Sequence, residues 1–337
     1  MSALPVLQHT DPSTLTRKDF VPSAEVKWCP GCVDYSILNQ VQKLLPTLQQ
    51  PKENYVFVSG IGCSSRFPFY MDTFGLHTIH GRAPAVATGI KMTRPDLDVW
   101  LVTGDGDSLA IGGNHFMHAL RRNVGIKVLL FNNRIYGLTK GQYSLTSEMG
   151  KHTKSTPLGS IDHPVEPVSV ALGVGATFIA RAMGNDGTQL YEVLRRAAAH
   201  KGTSMIEIFT NCVIFNDGAF DQYTQDKAEN QIQMVHGQPL RFGKDLSKGI
   251  ASDKHGRAYV VAGDDPNVLI HDEQSDALSY LLGRLAPPEF PMAFGVFRDV
   301  DRPAYEVMAR QQTDEARAKK KPDLRALIES GETWTVK

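Results

Sequence analysis

Residues 99–107, Val-Trp-Leu-Val-Thr-Gly-Asp-Gly-Asp, together with residues 131–133, Phe-Asn-Asn, decide the fold of this chain. The unbroken apolar run at 99–103 predicts a short buried strand. A helix is predicted over about 108–122, and a second strand over 127–131. A strand, a helix and a second strand of these lengths form one βαβ unit of a parallel sheet.

Polar turns follow both of these strands, at the sheet edge where open parallel sheets bind ligands. Asp105 offers a charged oxygen, Asn133 a neutral one and the backbone carbonyl of Ile135 a third. Mg²⁺ prefers oxygen ligands and usually takes only a few from protein, with phosphate and water completing its shell. Gly104 and Gly106 are expected to let the main chain approach a phosphate closely. The pattern predicts a diphosphate held through Mg²⁺; the alternative is that Gly-Asp-Gly is an ordinary turn.

Composition excludes several classes of function. The 36 basic residues balance the 36 acidic ones, so no overall field favours nucleic acid or an anionic membrane. No apolar run approaches the roughly 20 residues that span a bilayer. Residues 1–16 are polar where a signal peptide has its apolar core. The expected protein is soluble and cytoplasmic.

The order of predicted elements indicates an α/β fold with a doubly wound, mostly parallel sheet. Three regions are expected: an N-terminal arm at 1–26, the α/β domain at 27–225, and a C-terminal extension at 226–337 that wraps the core or a partner. The long loop at 136–159 has little periodicity, and such loops beside a site are usually functional. The other predicted elements are helices at 33–45, 83–92, 165–172, 186–200 and 304–321, and strands at 55–59, 177–181 and 205–209.

The chain has four cysteines, Cys29, Cys32, Cys63 and Cys212, which are one complete set of thiolate ligands. Cys29 and Cys32 form a Cys-Pro-Gly-Cys turn, whereas Cys63 and Cys212 each follow a predicted strand. Both would therefore lie at the same sheet edge as the polar turns. A [4Fe–4S] cluster suits this arrangement. A structural zinc site and four unrelated buried cysteines are the alternatives.

Six motifs occur together in residues 27–217. They are Cys-Pro-Gly-Cys (29–32), Gly-Ile-Gly-Cys-Ser-Ser-Arg (60–66), His-Gly-Arg-Ala (80–83), Gly-Asp-Gly-Asp (104–107), Asn-Asn-Arg-Ile-Tyr-Gly-Leu-Thr-Lys-Gly-Gln (132–142) and Asn-Cys (211–212). Gly-Asp-Gly followed by Asn-Asn resembles the Mg²⁺–thiamine diphosphate motif of thiamine-dependent enzymes. The whole set resembles the β-subunits of 2-oxoacid:ferredoxin oxidoreductases, and among them those that act on 2-oxoglutarate.

The resemblance implies a thiamine diphosphate-binding fold and a split active site. The β-subunit of this family carries thiamine diphosphate, Mg²⁺ and a [4Fe–4S] cluster, and the α-subunit supplies the glutamate that activates the cofactor. The implied reaction is coenzyme A-dependent oxidative decarboxylation of 2-oxoglutarate to succinyl-CoA. Electrons pass to ferredoxin, and the reaction runs backwards in the reductive tricarboxylic acid cycle. We expect an αβ heterodimer that pairs again into (αβ)₂.

The resemblance also implies roles for individual residues. Asp105, Asn133 and the Ile135 carbonyl would bind Mg²⁺, and the four cysteines would bind the cluster. His80 has the alternative of being a plain surface residue, and Asp107, outside the glycine pair, is expected to matter less than Asp105. The residues expected to line the thiamine diphosphate site are Ile61, Gly62, Cys63, Ser64, His80, Gly104, Asp105, Gly106, Asp107, Asn133, Leu138 and Thr139.

2-Oxoglutarate differs from pyruvate by a distal carboxylate, which a buried site must neutralise or hydrogen-bond. Cationic side chains are therefore expected to select the substrate. Lys140 follows the metal ligands directly and is the first candidate; the alternative is a solvated loop lysine. Arg66 and Arg82 are further candidates that instead could hold phosphate or a partner chain. Pyruvate or another 2-oxoacid is the alternative substrate. A thiamine-dependent carboligase or decarboxylase and a non-catalytic electron-transfer subunit are the rival functions.

Overall fold

The central strands of the main sheet are buried along nearly their whole length, whereas the edge strand Phe74–His77 is exposed. The computed structural model describes residues 10–320 and 322–336. Its strands are β1 (Tyr55–Ser59), β2 (Phe74–His77), β3 (Asp98–Gly104), β4 (Ile126–Asn132), β5 (Phe178–Met183), β6 (Ser204–Phe209), β7 (Gln231–Gln233), β8 (Arg241–Phe242), β9 (Lys248–Ser252), β10 (Ala258–Ala262) and β11 (Met292–Asp299). Uninterrupted burial of β3 and β4 is typical of parallel strands covered on both faces.

Helices cover both faces of this sheet. They are α1 (Asp34–Leu44), α2 (Ala83–Thr93), α3 (Gly113–Arg122), α4 (Pro167–Gly173), α5 (Gly187–Ala199), α6 (Asp221–Gln225), α7 (Lys227–Asn230), α8 (Asp276–Gly283), α9 (Tyr305–Lys319) and α10 (Leu324–Ile328). The apolar sides of α1 and α5 form one core with the sheet. On the opposite face, α2, α3, α4 and α8 form the other.

The strand order of the main sheet is β2-β1-β3-β4-β6-β5-β11-β7. From β2 to β5 all neighbours are parallel, whereas β11 runs antiparallel to β5. Since the parallel strands share one direction, the carboxyl ends of β1, β3, β4 and β6 meet at one edge. The prediction of a doubly wound, mostly parallel α/β fold is confirmed.

The segment after β3 differs from the single helix predicted over 108–122. Gly106–Ile111 is a π-helix, and α3 begins only at Gly113. The wider turn is closed by the Gly112 N–H, which donates to the Asp107 carbonyl over 3.1 Å. Single π-turns of this kind occur frequently at functional sites, and this one directly follows Asp105.

The region assigned to a C-terminal extension contributes to the main sheet. β11 and β7 complete one side of it, so the sheet continues past residue 225. The Pro-rich stretch before β11 hides this strand in the sequence. Strands β8 to β10 form a separate three-stranded sheet, and the charged helix predicted at 304–321 is α9, although Lys321 lies outside the described residues.

The N-terminal arm predicted at 1–26 is described from residue 10 onwards, and residues 1–9 lie outside the description. Its Phe20 is completely buried, with its ring 5.7 Å from that of Tyr55 in β1. The described part of the arm therefore packs on the core of this chain. No helix among the described residues is both long and apolar enough to cross a membrane.

Candidate functional site

A cavity of about 100 Å³ lies at the carboxyl edge of β1, β3 and β4. Its walls come from the turns that follow these strands and from the loop after β4. Thirteen residues predicted from the sequence line it: Ile61, Gly62, Cys63, Ser64, His80, Gly104, Asp105, Gly106, Asp107, Asn133, Ile135, Leu138 and Thr139. The structure thus brings the predicted thiamine diphosphate and Mg²⁺ residues together in one place; we call it the cofactor cavity.

Asp105 is a buried carboxylate in the wall of this cavity, with 2% of its surface exposed. One of its oxygens accepts hydrogen bonds from the hydroxyls of Ser144, over 2.5 Å, and Thr146, over 2.6 Å. Burial raises the pKa of the Asp105 carboxyl, and these two hydrogen bonds only partly oppose the shift. Both of these partners are neutral hydroxyls, so neither supplies a charge to balance the buried carboxylate. A bound divalent cation would do so, and the site therefore fits Mg²⁺.

Asn133 and Ile135 belong to a tight turn after β4. The Asn133 side-chain oxygen accepts a hydrogen bond from the Ile135 N–H over 3.1 Å. An amide oxygen has two lone pairs, so this contact leaves one for a metal ion. The turn holds the Asn133 amide at the cavity wall, near the other two proposed Mg²⁺ ligands.

Gly106 has a packing role that the sequence does not indicate. A Cβ at this position would collide with the ring of Tyr136, whose hydroxyl donates to the Gly106 carbonyl over 3.1 Å. Gly106 is therefore required by the close approach of Tyr136. At Gly104 a Cβ would meet the Ser64 hydroxyl at an ordinary 3.6 Å.

Asp107 joins three separate segments of the site. One of its oxygens accepts hydrogen bonds from the N–H groups of Ile61 (3.1 Å) and Gly81 (2.7 Å), and lies 2.5 Å from the His80 ring nitrogen Nδ1. Its other oxygen accepts from the Thr103 hydroxyl over 2.7 Å. Asp107 is as buried as Asp105. It fixes the loops at the rim of the cofactor cavity, a packing role that the sequence does not indicate.

Replacing Asp107 with alanine should lower both stability and cofactor affinity. The change leaves the Ile61 and Gly81 N–H groups without their acceptor, and each unsatisfied buried donor costs about 1–3 kcal/mol. We expect the free energy of unfolding to fall by roughly 2–5 kcal/mol. Denaturant unfolding and calorimetric titration with thiamine diphosphate and Mg²⁺ measure the two effects.

The matched control is Asp107→Asn. Its oxygen can still accept from the backbone donors, and its NH₂ group can donate to the Thr103 hydroxyl. Asp107→Asn should therefore lose clearly less free energy of unfolding and less cofactor affinity than the alanine variant. Wild-type stability in Asp107→Ala would mean that these hydrogen bonds do not hold the loops.

A second cavity, of about 230 Å³, is lined by all four cysteines, and we call it the cysteine cavity. The Cys29–Cys32 turn is closed by a hydrogen bond from the Cys32 N–H to the Cys29 carbonyl over 3.0 Å. Among the residues described, no three His, Cys, Asp or Glu side chains converge on a single metal-ion position. The thiols instead surround a space that has room for a group of several atoms, which fits a cluster better than one zinc ion.

Neighbouring side chains hold the cysteine-bearing loops. The indole N–H of Trp28 donates to the Cys63 carbonyl over 2.7 Å. The Asn216 N–H donates to the Cys212 carbonyl over 3.0 Å, and its side chain donates to the Asn133 carbonyl over 2.9 Å. Asn216 therefore connects the Cys212 loop with the turn that carries Asn133.

The two cavities share one wall, formed by Asp34, Cys63, Asn133, Gly137 and Leu138. A Cβ at Gly137 would stand 3.5 Å from the sulfurs of both Cys63 and Cys212. Burial raises the pKa of the Cys63 thiol to about 12, and the nearby Asp34 and Cys212 add to this shift. Burial likewise raises the pKa of the Asp34 carboxyl to about 7, partly opposed by a hydrogen bond from the Cys32 thiol. The wall between the cavities thus carries one carboxyl and one thiol, Asp34 and Cys63, and burial raises the pKa of both.

The three cationic candidates are placed differently from one another. Lys140 and Arg66 line the cysteine cavity, and Arg66 donates to the Lys27 carbonyl over 2.7 Å. Arg82 lines neither cavity; its guanidinium donates to the carbonyls of His80 (3.0 Å) and Ile111 (3.4 Å). Arg82 therefore braces the His80 loop.

Several residues of the site are not apparent from the sequence. Asp34 and Tyr136 line the cofactor cavity, and Ser144 and Thr146 bind Asp105 from the long loop after β4. Tyr136 could have been predicted from the sequence, because it directly follows the proposed metal ligand Ile135. No sequence pattern indicates Ser144 and Thr146, because their loop has no periodicity and they lie about 40 residues from Asp105.

Comparisons with known proteins agree with this geometry. Residues 60–208 match the family described as thiamine pyrophosphate enzyme, C-terminal TPP binding domain. The 2-oxoglutarate oxidoreductase subunit KorB of Mycobacterium tuberculosis is 51% identical over 328 residues, which cover 95% of this chain and 88% of that protein. The chain belongs to the β-subunits of 2-oxoglutarate:ferredoxin oxidoreductases.

Other members of this β-subunit family are more distant. The 2-oxoglutarate synthase subunit KorB of Methanocaldococcus jannaschii is 43% identical over 196 residues, covering 58% of this chain and 72% of that protein. A 2-oxoglutarate:ferredoxin oxidoreductase structure from Magnetococcus marinus, with 2-oxoglutarate, coenzyme A and succinyl-CoA bound, superposes with a TM-score of 0.78 at 30% identity. That likeness covers 97% of this chain and 100% of the other. A β-subunit implies an α-subunit partner, and the matched domain binds thiamine diphosphate.

Proposed function

We propose that this β-subunit binds thiamine diphosphate through Mg²⁺ in the cofactor cavity and a [4Fe–4S] cluster in the cysteine cavity. The complex with the α-subunit would convert 2-oxoglutarate and coenzyme A to succinyl-CoA, reversibly, and pass electrons to ferredoxin. The observation that carries the proposal is the wall common to the two cavities. A cofactor and an electron acceptor bound on either side of one layer of residues are close enough for direct electron transfer.

The residues of the cofactor cavity have distinct tasks in this proposal. Thiamine diphosphate, when bound, supplies the chemistry that stabilises negative charge as a 2-oxoacid loses carbon dioxide. Asp105, Asn133 and the Ile135 carbonyl would hold Mg²⁺ against the diphosphate. Asp107 orients the Ile61–Gly62 loop and His80 around it.

The cysteine cavity supports the electron-transfer half of the proposal. Cys63 lies in the walls of both cavities, so a cluster bound there would adjoin the cofactor. Cys29 is exposed, whereas the other three thiols are partly covered. The Cys29 side is therefore the face at which ferredoxin would collect electrons.

The cofactor cavity supports a site completed by a second subunit. Ligand pockets typically measure about 300–1,000 Å³, and this chain's share is about 100 Å³. The acidic residues lining it in the described chain are Asp34, Asp105 and Asp107, with no glutamate among them. We propose that the α-subunit supplies the activating glutamate, and that two αβ units assemble into (αβ)₂.

Anaerobic assay of the co-expressed αβ complex tests the proposed function. Ferredoxin reduction should require both 2-oxoglutarate and coenzyme A, and pyruvate should be a poorer substrate. Mass photometry should give the (αβ)₂ mass. Carbon dioxide release without coenzyme A or an electron acceptor would favour a simple decarboxylase, and full activity of the β-subunit by itself would refute the split site.

Lys140 is the proposed reader of the distal carboxylate of 2-oxoglutarate. A charge-assisted hydrogen bond contributes about 1.5–3 kcal/mol, so Lys140→Ala should lower kcat/KM for 2-oxoglutarate roughly 10- to 150-fold. Pyruvate lacks the distal charge and should be spared. The decisive quantity is the ratio of the two kcat/KM values, measured before and after the substitution.

Lys154→Ala is the matched control, because Lys154 is an exposed lysine of the same loop that lines neither cavity. It should leave the ratio unchanged. Lys140, by contrast, borders the cysteine cavity. If Lys140→Ala also leaves the ratio of the two kcat/KM values unchanged, substrate selection must lie in the α-subunit.

A further inference from the structure

A row of buried polar side chains crosses the sheet below the cofactor cavity. It runs from Thr146 through Asn132 of β4 and Glu207 of β6 to Arg181 of β5, and we call it the polar row. All four are buried, with Glu207 and Arg181 completely inaccessible. Arg181 and Glu207 are direct neighbours in the register of β5 and β6. None of the four is assigned a role in the proposed reaction.

The row meets the proposed metal ligand at Thr146. The Thr146 hydroxyl lies 2.6 Å from the Asp105 carboxylate and 2.8 Å from the Asn132 side-chain oxygen. A hydroxyl has one proton, so it donates to one of these oxygens at a time. The Arg134 N–H also donates to the Asn132 oxygen, over 3.2 Å, which fixes the orientation of the amide.

The far part of the row anchors Asn132 in the sheet. The Asn132 NH₂ group donates to one oxygen of Glu207 over 2.7 Å, and Arg181 donates to the other oxygen over 2.7 Å. Arg181 also donates to Glu166 over 3.0 Å. The rings of Phe209 and Phe297 lie 5.4 and 5.3 Å from its guanidinium carbon. Asn132, Glu207 and Arg181 are thereby each held on at least two sides.

We infer that the polar row positions Asp105 for the cation. This inference rests on the proposed function and goes beyond it, because it assigns Thr146, Asn132, Glu207 and Arg181 as positioning residues. A buried ion pair costs much of its attraction in lost hydration and contributes little net stability by itself. Residues that hydrogen-bond to a metal ligand fix its orientation, and replacing them typically costs about 10–100-fold in metal affinity.

The chain offers a matched control for this inference. Asp98 and Lys127 form another buried ion pair on β3 and β4, with an N–O distance of 3.1 Å. It lies at the opposite end of the same strands, away from Asp105. Asp98→Asn and Glu207→Gln each neutralise one carboxylate of a buried pair in the sheet, but only Glu207 is connected to Asp105.

The experiment measures the Mg²⁺ dependence of thiamine diphosphate binding to the purified αβ complex by calorimetry. Thr146→Val, which keeps the shape but removes the hydroxyl, should raise the Mg²⁺ concentration needed by about 10-fold or more. Thr146→Ser keeps the hydroxyl and should restore nearly wild-type binding. Glu207→Gln should weaken Mg²⁺ binding. Asp98→Asn should lower the melting temperature but leave Mg²⁺ binding unchanged.

Wild-type Mg²⁺ dependence in Thr146→Val would overturn the inference, and so would equal losses in Glu207→Gln and Asp98→Asn. If Glu207→Gln does not fold, the two Thr146 variants decide. Failure of the proposed function gives a different result, because the wild-type complex itself would then bind thiamine diphosphate without requiring Mg²⁺. That result would also overturn the inference.

Discussion

Replacing Asp105 with alanine should abolish Mg²⁺-dependent binding of thiamine diphosphate while the chain remains folded. Asp105 is the charged member of the proposed ligand set, and Asn133 and the Ile135 carbonyl contribute neutral oxygens only. Its burial raises the pKa of its carboxyl, so the ionised group is held at a cost in the absence of a cation. Removing it relieves this cost, which offsets the loss of the Ser144 and Thr146 hydrogen bonds, so the melting temperature of the cofactor-free protein should change little.

Calorimetric titration of the αβ complex with thiamine diphosphate and Mg²⁺ measures this effect. Asn133→Ala is the graded comparison, because it removes a neutral oxygen and should weaken binding less. Asp105→Ala with wild-type affinity would refute the metal assignment. A large fall in its melting temperature without cofactor would show instead that Asp105 is structural.

Serine in place of any one of the four cysteines should destroy or damage the iron–sulfur cluster. Anaerobically purified wild-type protein should be brown and contain about four irons per chain, with a reducible low-potential signal. Cys32, Cys63 and Cys212 are partly covered, and their serine variants should lose the cluster. Cys29 is exposed, and its serine variant should retain an oxygen-labile three-iron form.

Iron and sulfide analysis with electron paramagnetic resonance measures these outcomes. Ile214→Ser is the matched control: Ile214 is exposed, lies two residues from Cys212 and lines the same cavity. It introduces the same side chain and should keep all of its iron. Stoichiometric zinc without iron in the wild-type protein would exclude the cluster.

The sequence by itself determined that the turns after β1, β3, β4 and β6 meet at one edge of the sheet. The apolar runs of β3 and β4 predict two adjacent parallel strands, and parallel strands end at one edge of the sheet. Asp105 and Asn133 must then lie near each other, and Cys63 and Cys212, which follow β1 and β6, must lie at the same edge. This reasoning needs only local periodicity and the common direction of the strands.

Only the tertiary structure decided what each of these residues does. Asp107 lies only two residues from Asp105, yet its carboxylate binds the backbone of two distant loops, whereas that of Asp105 binds two loop hydroxyls. Gly106 is required by Tyr136, and Asp105 is held by Thr146 from a loop without periodicity. Such contacts depend on how loops pack after the sheet has formed. Because they join residues far apart in the chain, no local pattern of the sequence records them.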